Sequence, residues 1–240
     1  MEVAYISIPA LSVAFLPVAV VVAIFYAWSA RTDGNTAIYG LLRMLLQLLL
    51  VGYLLNYIFD TDSSVVVAGV LSFMLVAASW IALRTVPLQR RSLLLPSLVA
   101  IGVSSLTVLA LITQGVLQVE PWYNPRYMLP LGGMVFAGSM NAVSLAAERY
   151  YSELSSGTEA KSARLHAFQA SLIPVTNSMF AVGLVSLPGM MTGQILSGIS
   201  PLIAARYQIV VMCMLFGAAG ISAAAFLVLN RAKPLTDEHS

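Results

Sequence analysis

The chain has 240 residues, 59% of them hydrophobic and 9% charged, with a formal net charge of +2 and a mean hydropathy of +0.88. Soluble domains run at roughly 45–50% apolar and about 25% charged, so the surplus apolar surface must face lipid rather than water. A charge this small, with no clustered basic stripe, argues against nucleic acid as a partner.

A helix that crosses the hydrocarbon of a bilayer needs about 20 mostly apolar residues. Seven stretches meet that length: residues 6–29, 37–59, 65–83, 93–116, 128–147, 172–199 and 207–229. The expected fold class is therefore all-α, a polytopic transmembrane helix bundle forming one membrane domain over residues 1–240. The start, Met1-Glu2-Val3-Ala4, lacks the basic region of a signal peptide, so the first span is expected to stay as an anchor. Short polar connectors are expected at 31–35, 60–63, 84–91 and 120–126. A longer one, at 148–171, reads as cytoplasmic and partly helical. Ser156-Gly157-Thr158 breaks it, and Thr158 is placed to cap a short helix running from Glu159-Ala160-Lys161 toward Phe168.

Orientation follows from where Lys and Arg fall. With the N-terminus outside, the inner connectors and the C-terminal end hold Arg31, then Arg84, Arg90 and Arg91, then Arg149, Lys161 and Arg164, then Arg231 and Lys233. Arg126 and Arg206 fall outside, with the Asp60/Asp62 turn and Trp122-Tyr123. Nine basic residues inside against two outside gives seven spans, N-out and C-in.

Several polar or backbone-breaking residues sit at lipid depth. Arg43 and Gln47 lie four apart on one face of the second span. The arginine reads either as a pathway residue facing a bundle interior or as a structural one snorkelling to the inner interface. In the fifth span Gly132-Gly133 and Gly138-Ser139 favour close helix packing, which Asn141 can bridge by hydrogen bonding; substrate contact is the alternative. In the sixth, Pro188, Gly189, Met190, Met191, Thr192, Gly193 and Gln194 form the densest signal. Proline removes a helical hydrogen bond and the two glycines have GxxxG spacing. Broken backbone at this depth must be buried in protein or line a cavity. The segment is thus either a tight helix contact or a hinge beside a transport path. Met190 and Met191 could offer thioether ligands to a soft ion such as Cu(I), though packing explains a methionine pair as well.

Enzyme chemistry finds little purchase. The only lysines, Lys161 and Lys233, each follow alanine, so no P-loop exists. His166 and His239 do not make a zinc motif, no span contains histidine, and Cys213, the sole cysteine, can form no intrachain disulfide.

The strings 125-PRYMLPLGGM-134, Ser139-Met140-Asn141-Ala142 and Glu148-Arg149 resemble the FetB-type ABC transporter permeases, as do 183-GLVSLPGMMTGQILSG-198, Pro201, 204-AARYQI-209, and Arg43 with Gln47-Leu48. The resemblance spans nearly the whole chain. It implies a permease subunit without its own nucleotide site, paired as a homodimer with separate ABC ATPase subunits that use the ATP. No cofactor or metal site of its own is implied. Bacterial members are associated with iron export and plant relatives with aluminium tolerance, which implies metal export from a multi-pass position in the bacterial inner (plasma) membrane. Arg43, Gln47, Asn141 and 188–194 become candidates for transport path or hinge. Glu159, Ala160 and Arg164 become candidates for ATPase coupling, where the family carries a longer cytoplasmic extension and an Ala-rich helix. A self-contained channel or secondary transporter is the alternative, and an intramembrane enzyme or scaffold a third. Iron prefers oxygen and imidazole ligands, and the mid-span residues include no Asp, Glu or His, so iron rests on the resemblance alone.

Overall fold

The computed structural model describes residues 12–28, 30–60 and 63–230. The chain divides into two compact units, Met1–Thr61 and Asp62–Ser240.

In the first unit, α1 (Leu16–Ala27) places Pro17 in its first turn, where a missing N–H breaks no helical bond. It turns back into α2 (Arg31–Phe59). Gly34 permits the close turn, because a Cβ there would lie 3.2 Å from the Tyr26 ring. The Tyr26 hydroxyl donates to Asn35 Oδ1 at 2.6 Å. The polar connector expected at 31–35 is therefore the opening of α2. Asp33 in its first turn suits the positive end of the helix dipole. The expected first span, 6–29, begins outside the described residues, and its described helix, α1, is 12 residues long.

The second unit contains α3 (Ser64–Ala82), a 3-10 turn at Leu83–Thr85, and α4 (Arg90–Ala110), which runs into a π-helical stretch at Leu111–Val116. Then follow α5 (Pro125–Ser155), α6 (Ala160–Ala181), α7 (Gly189–Leu196) and α8 (Pro201–Leu229). Asn124 caps α5 by accepting from the Arg126 N–H at 3.1 Å. Arg90, at the start of α4, lies 3.7 Å over the Trp80 ring and donates to the Trp80 carbonyl.

α5 is the centre of this unit and packs on α3, α4, α6 and α8. Its buried positions include Gly132, Phe136, Ser139, Val143 and Ala146, which recur at helical spacing. Small residues let the backbones approach. A Cβ on Gly132 would sit 2.7 Å from Leu71 Cδ2. The buried hydroxyls of Ser105 on α4 and Ser139 on α5 hydrogen-bond at 2.9 Å. Packing is thus what Gly132 and Ser139 do.

The molecule is an all-α, membrane-associated helix bundle. Among the described residues, five helices are long and apolar enough to cross a bilayer: Thr32–Phe59, Ser64–Thr85, Arg90–Val116, Pro125–Ser155 and Pro201–Leu229.

The stretch 172–199 is interrupted, as the Pro188-Gly189 pair in it suggested. α6 ends at Ala181, Gly183 takes φ 82°, and α7 begins only at Gly189 after Pro188. Residues 148–171 are mostly helical. α5 continues to Ser155, a turn occupies 156–159, and α6 starts at Ala160 and runs on through Pro174. Thr158 does not cap α6. Glu159 holds the cap position, and the Thr158 hydroxyl donates back to Glu153 Oε2 at 2.8 Å.

Candidate functional site

The site is built where helical backbone runs out. Beyond Ala181 the chain turns through a bridge between Val182 and Ser186. Pro188, extended at ψ 145°, then delivers the eight-residue α7. The Thr192 N–H and hydroxyl both donate to the Pro188 carbonyl, at 2.9 and 3.1 Å, which ties off the first turn. Gly198 at φ 90° ends the segment. α7 packs chiefly on α8.

Two cavities adjoin this segment. The larger, about 480 Å³, lies among α5, α6, α8 and the 182–190 backbone. Asn141, Pro188, Gly189 and Met190 line it, with Gln208 and Met212 from α8. The smaller, about 290 Å³, is lined by Arg126, Met134, Met190, Gln194 and Tyr207, among others. Gln208 is only 5% exposed and its Oε1 has no hydrogen-bond partner. Gln194 Oε1 is likewise buried without a partner. Arg126 is the one charged side chain among the described residues lining either cavity.

The structure therefore brings Asn141, Pro188, Gly189, Met190 and Gln194 together. Asn141 faces the larger cavity and is exposed, and it does not bridge a helix contact as its sequence context suggested. Met191, Thr192 and Gly193 belong to α7 but line neither cavity. Among the described residues, a Cβ at Gly189 or Gly193 would meet nothing within 4 Å, so no close helix contact forms there within the described part of the chain. Arg43 and Gln47 lie on α2 in the other unit, both exposed.

Of the coupling candidates, Glu159 and Ala160 are exposed at the α5–α6 turn, and Arg164 is half-buried with its Nε unpartnered. Just before that turn Glu153 is clasped by Arg149, His166 and Thr158; His166 Nδ1 lies 3.4 Å from its Oε1. This clasp pins α5 to α6. Gln208 and the shared wall residue Met134 are site residues that sequence reasoning missed. An amide at the start of an apolar run is all the sequence offered for Gln208. Among the described residues no group of three or more His, Cys, Asp or Glu could hold a metal ion.

Long apolar helices packed as a bundle define the class: a multi-helix membrane protein. The chain belongs to the uncharacterised protein family UPF0014, whose model it matches over residues 8–233. It is 35% identical over 201 residues to the protein named "Probable iron export permease protein FetB" of Escherichia coli, covering 75% of this chain and 74% of that one. It is 32% identical over 224 residues to "Protein ALUMINUM SENSITIVE 3" of Arabidopsis thaliana, covering 87% and 80%. The "UPF0014 membrane protein YjkA" of Bacillus subtilis is 30% identical over 239 residues, covering 92% and 93%. No solved structure matches the chain.

Proposed function

We propose that this chain is the membrane permease subunit of an ABC exporter for iron or another metal, driven by separate ATPase subunits. Two copies would work with two ATPases in a bacterial inner membrane. The observation that carries the reading is the similarity, across about three quarters of both chains, to the protein named "Probable iron export permease protein FetB". The absence of a P-loop lysine in the sequence supports a division of labour in which another chain hydrolyses ATP.

The architecture offers a physical route for coupling. Glu159 and Ala160 are exposed at the turn that joins α5 to α6, and both helices run from that turn to the wall of the larger cavity. From Glu159 to Ser171, the first residue of α6 on that wall, is about 18 Å at roughly 1.5 Å per residue. A push on the turn is carried to the cavity by two helices that the Glu153 clasp holds together.

Purified alone, the protein should show no ATP turnover above background. Co-expressed with a single-domain ABC ATPase from the same genome, it should copurify with it and turnover should appear. Failure to associate with any such ATPase, together with metal transport in its absence, would favour a self-contained transporter.

A further inference from the structure

The smaller cavity, about 290 Å³, has a polar end and an apolar end. Along α5 its lining begins with Arg126 and Tyr127, in the first turn, and passes through Leu131 to Met134. From α8 it takes Tyr207, nearest the start of that helix, and then Val210 and Val211. Helical side chains lean toward the N-terminal end of their helix, which carries the Arg126 guanidinium to the mouth. Trp122 and Tyr123 pair edge to face just before α5, and they are the residue types that sit at a bilayer interface. The cavity therefore has the polarity of one bilayer leaflet, charged at the mouth and apolar beneath.

The charge at that mouth has no counterpart in the chain. Both ion pairs among the described residues belong to Glu153, near the other end of α5. Glu120, the carboxylate nearest to Arg126 in sequence, is exposed, does not line the cavity and forms neither of those pairs. The first turns of α5 and α8 carry no acidic residue, and no Asp, Glu or His lines the cavity. The positive end of the α5 dipole makes a lone cation there less favourable still. Tyr127 and Tyr207 bring phenols to the same end, each able to donate a hydrogen bond.

We propose that this cavity binds an amphiphilic organic anion, with its carboxylate or phosphate on Arg126 and its apolar body against Leu131, Met134, Met190 and Val211. The planar fork of arginine suits both groups, since either can accept two parallel hydrogen bonds from it. A neutral apolar molecule would leave Arg126 unpaired, and an inorganic anion would leave the apolar end unfilled. A soluble acid or an anionic lipid of the surrounding leaflet can supply this chemistry. The site is separate from the exporter reading and does not depend on it.

Thiol protection tests the site. In a Cys213→Ser background, which removes the exposed native thiol, Ile199→Cys supplies a reporter on the cavity lining that is 39% exposed and so within reach of reagent. The full chain is placed in phosphatidylcholine nanodiscs and modified with an uncharged hydroxyethyl methanethiosulfonate. Saturating octanoate should slow the reaction at least about tenfold, because only the unoccupied fraction reacts. Octanol and inorganic phosphate should not slow it. Arg126→Gln should abolish the protection, and Arg126→Lys should keep part of it. The comparison of octanoate with octanol needs no change at Arg126, so it decides the matter even if those variants do not fold. Nanodiscs containing phosphatidylglycerol, without octanoate, separate the sources: protection there that depends on Arg126 assigns the site to a lipid, and protection by octanoate alone assigns it to a soluble acid. Equal protection by octanol and octanoate, protection that survives Arg126→Gln, or none from either octanoate or phosphatidylglycerol would overturn the proposal. The rates are read without any ATPase, so failure to find a partner ATPase bears on the exporter reading alone.

Discussion

Glycine serves two different ends in this chain, and single substitutions separate them. At Gly132 space is the constraint, because a Cβ there would press on Leu71 Cδ2 at 2.7 Å. Gly132→Leu should cost about 1–3 kcal/mol through overpacking and lower the thermal midpoint of the detergent-solubilised protein. Adding Leu71→Ala should recover part of that loss by vacating the same volume. At Gly193 nothing lies within 4 Å of the added carbon. Gly193→Ala should leave the midpoint unchanged or raise it, since alanine is better in a helix by about 0.5–1 kcal/mol. A clear drop at Gly193 would mean that another molecule covers this face of α7. The Ser105–Ser139 pair makes the same point for polar groups: one 2.9 Å bond between α4 and α5 satisfies two hydroxyls buried in the bundle.

At the level of elements, hydropathy was a good guide where apolar length and helix length coincide. The expected 65–83, 93–116 and 207–229 fall within or close to α3, α4 with its π-helical extension, and α8. It failed between 148 and 199, where the two lengths diverge. The first half of α6 carries Lys161, Arg164 and His166 and so reads as a connector, yet Ala163 and Ala167 are fully buried. Beyond it, apolar character continues unbroken from 172 to 199 while the backbone stops at Gly183 and Pro188. The Pro-Gly string was legible as a break. The orphaned Gln208 on α8 was not, because one amide in an apolar helix carries no sign of which way it faces. The break itself can be tested. At φ 82°, Gly183 is in a region that costs other L-residues about 1–2 kcal/mol, and less for asparagine. Gly183→Val should therefore lower the thermal midpoint, and Gly183→Asn should lower it less. Equal, negligible effects would show that the turn after α6 does not depend on that conformation.

At the scale of the whole chain, helix lengths and directions bear on how often it crosses the membrane. Residues 126–131 at the start of α5 and residues 199 and 207, just before and early in α8, line the same small cavity. The two helices thus begin at one end of their unit and run the same way, so the chain between them must return once. α6 has 22 residues, about 33 Å of helix at roughly 1.5 Å per residue, but with Lys161, Arg164 and His166 in its first half it is not among the five helices apolar enough to cross. The eight-residue α7 is too short to cross. The seven-span arrangement, N-out and C-in, expected from the nine-to-two distribution of basic residues requires α6 together with the segment beyond it to make the sixth crossing. Sandwich reporter insertions at Gly157 and Gly198 and a fusion after Arg231, expressed in a bacterial host, should report cytoplasm, exterior and cytoplasm in turn. If Gly157 and Gly198 report the same side, α6 does not cross. The chain would then have an even number of spans, and the coupling turn at Glu159 could not lie opposite the outer end of α7.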